Sequence, residues 1–243
     1  MPEIPYCGTP PVPGGVAWNP DPALIAALLV MGGLAMPRLR DAGARRQAAS
    51  ALGWAVLVLA LVSPLCNLSV ALFSARVAQH LLLILVAAPL IAFGMIGPDR
   101  QRAPNLAAPA ALFALALWAW HLPGPYAASF ARDSIYWAMH ASLFGTALWL
   151  WAALGFRASA RPDAAALAAL ATAVQMGLLG ALLTLAPRPL FLAVHAPGVT
   201  APWGLSPLED QQLGGLLMWV PGGLVFAALC VAGLGIALRR ARA

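Results

Sequence analysis

The sequence predicts an all-α fold: a polytopic membrane protein with a seven-transmembrane-helix bundle, its N-terminus periplasmic and its C-terminus cytoplasmic. Of its 243 residues, 62% are hydrophobic and 9% are charged, whereas a soluble domain carries roughly 25% charged residues. Seven apolar stretches approach or exceed the length of about 20 residues that a bilayer core requires. The expected location is the inner membrane of a bacterium, with the lipid bilayer as a partner.

Proline and acidic residues mark the ends of several predicted helices. The first helix begins around Asp21 and Pro22 and ends at Pro37, and the fourth has Pro104 at its entry and Pro123 just past its end. In chain order, the predicted spans cover residues 20–36, 48–64, 74–96, 104–122, 133–156, 162–186 and 210–238. Residues 1–19 are rich in Pro and Gly and form a periplasmic N-terminal segment, while residues 20–243 form one transmembrane domain.

The arginines predict the orientation of the bundle. All 14 basic residues are Arg, and 11 of them fall in loops 37–47, 97–103 and 157–161 and in the C-terminal tail. These segments alternate along the chain, and positive residues stay on the cytoplasmic side of a membrane. The N-terminus is therefore expected outside and the C-terminus inside. Because the arginines form no stripe or basic helix, nucleic acid is not an expected partner.

With this orientation, all four histidines fall in the outer third of the protein. His80 lies six residues into the third helix and His140 seven residues into the fifth, at depths of roughly 9 and 10 Å from the helix rise. His121 closes the fourth helix, and His195 lies in the outer loop 187–209. Ionisable residues inside spans are costly, which makes the first two functional candidates.

Sulfur accompanies this histidine layer, and imidazole with thioether or thiolate is a ligand set for copper, especially Cu(I). The candidate metal ligands are His80, His140, His121, Met218, Met139, Cys7, Cys66 and His195. Alternatives stay open: a buried histidine can simply hydrogen-bond between helices, His195 can be solvated or structural, the methionines can be core packing, and Cys7 and Cys66 can form a disulfide. His80 and His140 can also be axial ligands of a haem.

No enzymatic motif accompanies these residues. The sequence lacks GxSxG, HExxH and a phosphate-binding glycine loop, and no carboxylate lies in the middle of a predicted span. It therefore predicts neither an enzyme nor a proton-driven transporter with a central acid.

Three blocks of the chain carry a family resemblance: LSPLEDQQLGGLLMWVPGG at 205–223, QHLLLILVAAPLIAFG at 79–94 and WHLPGPYAASFARDSIYWAMHASLFGTALWLW at 120–151. Together they resemble the CtaG-type (caa3-type) cytochrome c oxidase assembly factors, a family with seven membrane helices. The resemblance implies a role in maturing a haem–copper oxidase, with oxidase subunits as partners and copper supplied from the periplasmic side.

By position, the resemblance covers the three intramembrane or interfacial histidines and the signature of the seventh helix. The residues that match or flank these motifs are His80, His121, His140, Tyr136, Asp210, Gln211, Met218, Trp219 and Pro221. One departure concerns Arg76 and Val77, which stand where relatives often have His-Met. Arg76 shares a helix face with His80 and disfavours a nearby metal ion, unless Asp210 or Glu209 neutralises it.

The leading hypothesis is a non-enzymatic assembly factor that holds Cu(I) transiently in an outer pocket of His80, His140 and Met218, with His121 nearby. The rivals are a haem-binding membrane cytochrome and a metal-free scaffold that holds oxidase subunits together. Small residues such as Gly214 and Gly215 permit close helix contact, including contact with a second copy of the chain.

Overall fold

The computed structural model describes residues 4–95 and 105–242, and all regular structure within these ranges is helical, which confirms the all-α prediction. The helices are α1 (Pro22–Leu39), α2 (Ala44–Val62), α3 (Pro64–Ala71), α4 (Phe73–Met95), α5 (Ala107–Trp120), α6 (Pro123–Ala131), α7 (Asp133–Ala160), α8 (Pro162–Leu185), α9 (Pro197–Thr200) and α10 (Pro207–Arg242).

Five of the described helices are long and apolar enough to cross a membrane: α2, α4, α7, α8 and α10. The helices α5 and α6 meet at an angle of 76° and make a sixth span if the bent pair is counted as one. The first predicted helix is present as α1, but its apolar part, Pro22–Pro37, is shorter than the 18 residues taken as the minimum for a span. The chain is thus a multi-pass membrane protein. Residues 4–95 and 105–242 contain five or six helices of spanning length, where the sequence predicted seven spans.

Three short helices were not expected: α3, α6 and α9. Each starts with a proline (Pro64, Pro123 and Pro197), and the fixed φ of proline suits the first helical turn. Ser63 caps α3 by accepting a hydrogen bond from the Leu65 amide. The other differences are small: α2 begins at Ala44, four residues before its predicted start, and the outer loop 187–209 contains α9.

A π-helical segment, Leu82–Ala87, lies within α4 directly after His80. In this segment the Ala88 amide donates to the Leu83 carbonyl, five residues back. The same spacing would pair the Ile84 carbonyl with Pro89, which has no N–H to donate. The indole of Trp151 on α7 donates to Ile84 instead, at 2.8 Å, so the neighbouring helix completes the hydrogen bonding of the π segment.

Glycines bring α8 and α10 into backbone contact. A Cβ on Gly215 would lie 2.7 Å from the Gly180 carbonyl oxygen, and one on Gly180 would lie 2.9 Å from the Gly215 carbonyl oxygen. No larger residue fits either position without moving a helix, which is the small-residue packing of membrane bundles. A second π segment, Met218–Gly222, contains Pro221.

The N-terminal segment is irregular from residue 4, where the described part of the chain begins, and it is anchored to the bundle. Cys7 forms a disulfide with Cys66 of α3, across Cα atoms 5.5 Å apart. Asn67 donates to the carbonyls of Cys7 and Thr9 at 2.9 and 3.0 Å. Trp203 donates to the Pro11 carbonyl at 3.0 Å. These contacts hold the segment against α3 and the loop after α9.

Candidate functional site

His80 of α4 and His140 of α7 meet inside the bundle. Their ring centroids lie 5.0 Å apart in an edge-to-face arrangement, and the residues are 6% and 3% exposed. The Nε2 atoms of both rings are buried without a hydrogen-bond partner. Unpaired buried polar atoms are rare and require an explanation.

The tautomer of His140 follows from its one hydrogen bond. Its Nδ1 lies 3.0 Å from the Tyr136 carbonyl oxygen, and a carbonyl oxygen only accepts, so Nδ1 carries the proton. The lone pair of Nε2 is therefore free. This is the form in which a histidine binds a metal ion through Nε2 or accepts a hydrogen bond.

The ring of Tyr136 packs against the ring of His140. Its ring centroid lies 4.1 Å from that of His140 and 4.7 Å from that of Tyr6 in the N-terminal segment. The Tyr136 hydroxyl lies 3.3 Å from the sulfur of Cys7 and 3.6 Å from that of Cys66. The disulfide and the histidine pair are thus joined through a single buried aromatic side chain.

Arg76 lies in the same region and is 1% exposed. Its guanidinium stands 4.3 Å from the ring centroid of Phe130 and 5.4 Å from that of Tyr136, which are cation–π distances. Its Nε donates to the Ser69 carbonyl at 3.4 Å, and its Nη1 has no partner. Because both Arg76 and His140 contact the Tyr136 ring, the cation lies within about 10 Å of the imidazole.

Within the described part of the chain, Asp210 forms no ion pair with this arginine. It is fully buried, and its carboxylate accepts hydrogen bonds from the amides of Phe73 and Ser74 at 2.7 and 3.0 Å and from the Ser74 hydroxyl at 2.6 Å. The first turn of a helix leaves its amides without partners. Asp210 therefore caps α4, the helix that carries both Arg76 and His80.

Gln211 plays a similar bridging role. Its amide nitrogen donates to the Leu183 carbonyl at 3.1 Å, and its amide oxygen accepts from the Leu190 amide at 2.6 Å. Asp210 and Gln211 thus tie α10 to α4, α8 and the following loop. Trp219, in the same signature, is 43% exposed on the outside of the bundle.

The other two histidines are engaged in local structure. His121 donates from Nδ1 to the Leu117 carbonyl at 2.7 Å. His195 donates from Nδ1 to the Ala71 carbonyl at 3.0 Å, and its Nε2 accepts from the Tyr126 hydroxyl at 2.8 Å. Burial lowers the pKa of His195 to about 3, a shift that the bond to Ala71 opposes and the nearby Arg76 cation increases. In this structure His195 is a neutral bridge without a free lone pair.

The predicted sulfur ligands occupy different environments. Met139 and Met218 are buried in the main apolar core, while Cys7 and Cys66 are held in the disulfide and present no thiolate. The third cysteine, Cys230, is free and buried. Among the described residues, no group of three or more His, Cys, Asp or Glu side chains is arranged to hold a metal ion.

Sequence reasoning missed Gln79, which is fully buried next to His80. Its amide nitrogen donates to the Ala60 carbonyl of α2 at 2.8 Å, and its amide oxygen has no partner. The signal was available: an amide side chain within an apolar span is costly unless it is paired or functional. Gln79 positions α4 against α2 one residue before the histidine.

Apolar helices that bury an imidazole pair and an arginine define a multi-pass membrane protein with a polar interior site. The model of the family described as cytochrome c oxidase caa3 assembly factor (Caa3_CtaG) matches residues 28–98 and 101–240, and the chain belongs to this family. The resemblance predicted from the three sequence blocks is therefore confirmed. No curated protein and no solved structure matches the chain significantly.

Proposed function

We propose that this protein is a non-enzymatic assembly factor that binds Cu(I) between His80 and His140 and passes it to subunits of a haem–copper cytochrome c oxidase. The observation that carries the proposal is the pair of buried Nε2 atoms without partners on two adjacent rings. Family membership supports the assembly role. The chemistry of neutral imidazole supports copper.

A site with only two protein ligands suits a metal ion that must be passed on to another protein. Cu(I) held by two imidazoles has open coordination positions, so an incoming ligand on the receiving protein can displace them one at a time. Met139 and Met218 are the candidates for a third, soft ligand, since one adjoins His140 in the sequence and the other belongs to the family signature.

The haem alternative fits this arrangement less well. Two axial histidines must stand on opposite faces of a flat macrocycle. Here the two rings are in direct edge-to-face contact at 5.0 Å, so a haem would require α4 and α7 to separate.

We further propose that the site faces the periplasm of a bacterial inner membrane, with seven spans and the N-terminus outside. Two features support this orientation. The arginines concentrate in alternate loops, and the disulfide between Cys7 and Cys66 is a bond that persists in oxidising compartments such as the periplasm.

Single replacements of the two histidines test the copper proposal. In detergent-purified protein, His80→Ala and His140→Ala are each expected to weaken Cu(I) affinity by about 100-fold or more, since loss of even an outer-shell partner costs about 10- to 100-fold. Competition with a chromophoric Cu(I) chelator measures this. His195→Gln is the matched control and is expected to keep wild-type affinity, because both ring nitrogens of His195 are already bonded. Wild-type protein that takes no copper from the chelator would refute the proposal.

Arg76→Leu is expected to have the opposite effect and to raise Cu(I) affinity about tenfold. A charge about 10 Å away at an effective dielectric constant of about 20 contributes about 1.7 kcal/mol of repulsion, and 1.4 kcal/mol is tenfold in affinity. Leucine removes the charge and adds no atom that could bind copper. Arg132→Leu, which removes an exposed cation screened by solvent, is expected to change affinity less than about twofold. Equal effects of the two replacements would show that Arg76 exerts no local field on the site.

A further inference from the structure

An apolar cavity of about 480 Å³ lies beside His140. Along α1 it extends from Asp21 to Met31, which is roughly 15 Å at the rise of an α-helix. The opposite wall comes from α2, α4 and α7 and includes His140. This length and apolar lining match a hydrocarbon chain, and the cavity volume is in the range of ligand sites.

The cavity also has an aromatic wall with two unsatisfied polar atoms. Its lining includes Tyr6, Trp54, Trp137, Phe144 and His140. The indole Nε1 of Trp54 and the Nε2 of His140 are both buried without partners. An indole nitrogen only donates, and the His140 Nε2 only accepts in the tautomer fixed by Tyr136.

These features define one ligand chemistry. A flat aromatic ring stacks among the aromatic side chains, an oxygen accepts from Trp54, a hydroxyl donates to His140, and a hydrocarbon tail fills the length of the cavity. Both nitrogens are buried, so the Trp54 and His140 side chains must rotate slightly to reach a ligand. The two hydrogen bonds that then form offset the free-energy cost of this rotation.

We propose that this cavity binds a membrane quinol, a hydroxylated aromatic ring with a hydrocarbon tail, with the ring between Trp54 and His140. The inference goes beyond the assembly role and does not require it. Because the quinol and a copper ion would use the same Nε2 of His140, each is expected to exclude the other from that atom.

The hydrogen-bond directions give a sharp expectation. The reduced ring offers a hydroxyl to His140, whereas the oxidised quinone offers only carbonyl oxygens, which cannot pair with the free lone pair. The quinol is therefore expected to bind about fivefold to tenfold more tightly than the quinone, the magnitude of one net hydrogen bond.

The experiment uses delipidated full-length protein in detergent and equilibrium dialysis with a decyl-tailed benzoquinol, the matching quinone and decanol. Trp54→Phe keeps an aromatic ring in the cavity wall and removes the indole donor, and it is expected to weaken quinol and quinone binding alike by about fivefold. Leu28→Trp fills the cavity, where Leu28 is 6% exposed, and is expected to abolish binding of both. Trp149→Phe, outside the cavity, is the matched control and is expected to leave both affinities unchanged.

Equal affinity for quinol, quinone and decanol would overturn the proposal, because the cavity would then recognise only a lipid tail. No saturable quinol binding, or binding that Trp54→Phe leaves unaltered, would overturn it as well. Cu(I) affinity measured on Trp54→Phe is expected to stay at the wild-type value. A failure of quinol binding is thus separable from a failure of the copper proposal.

Discussion

Replacing Asp210 with Ala is expected to destabilise the protein by about 3 to 5 kcal/mol. The change removes a carboxylate that accepts three hydrogen bonds at the start of α4. Bonds to charged groups are worth about 1.5–3 kcal/mol each, and the desolvation cost of the buried carboxylate, which Ala avoids, offsets part of their sum. The change also leaves the amides of Phe73 and Ser74 without a partner inside the bundle. In a chain of this size, a loss of that order lowers the thermal midpoint by roughly 10 °C or more, which thermal unfolding in detergent measures.

Glu209→Ala is the matched control for this prediction. Glu209 is the preceding carboxylate on the same helix turn, but it is exposed and accepts only from the Ser206 amide in a capping box. Its removal is expected to cost about 1 kcal/mol or less. Because Asp210 holds the helix that carries His80, Asp210→Ala is also expected to weaken Cu(I) binding. A midpoint for Asp210→Ala no lower than that for Glu209→Ala would show that the cap does not stabilise α4.

The positions of the five long apolar helices were predictable because the signals that define them are local. The sixth predicted span, 162–186, differs from α8 by one residue, since Pro162 opens the helix and the apolar run ends with it. The helices α3 and α6 were not predictable in the same way. At eight and nine residues they are too short for a search based on bilayer thickness.

The histidine pair was partly predictable from depth alone. Counting residues from the expected outer surface places His80 and His140 in one layer, and the structure brings their rings into contact. Depth does not fix the direction of a side chain around its helix. His121 and His195 belong to the same predicted layer, yet His121 bonds its own helix and His195 bonds the end of α3.

The role of Asp210 was beyond sequence reasoning. A charge argument suggests that a buried aspartate neutralises a buried arginine, and Asp210 and Arg76 invite that pairing. The actual partners of Asp210 are backbone amides 136 and 137 residues away, and a backbone amide has no signature in a sequence. In this chain, Asp210 therefore positions the start of α4.

Replacing both Cys7 and Cys66 with Ser is expected to cost about 4 kcal/mol of stability. The bond closes a loop with a sequence separation of 59 residues, and a crosslink over a loop of that size restricts the unfolded chain by about that amount. The N-terminal segment retains the hydrogen bonds from Asn67 and Trp203, so it is expected to loosen rather than detach. The thermal midpoint in detergent is expected to fall by roughly 10 °C.

Treatment with a reductant distinguishes the effect of breaking the disulfide from the effect of replacing the two cysteine side chains. Wild-type protein treated with a dithiol is expected to unfold at the temperature of the double Ser variant, and Cys230→Ser, which removes the free cysteine, is expected to respond to reductant as wild type does. Because Tyr136 lies between the disulfide and His140, reduction is also expected to alter Cu(I) affinity. Two results together would show that Cys7 and Cys66 are free thiols: both are alkylated in unreduced protein, and the dithiol does not change the thermal midpoint. The support that the disulfide gives to a periplasmic N-terminus would then be lost.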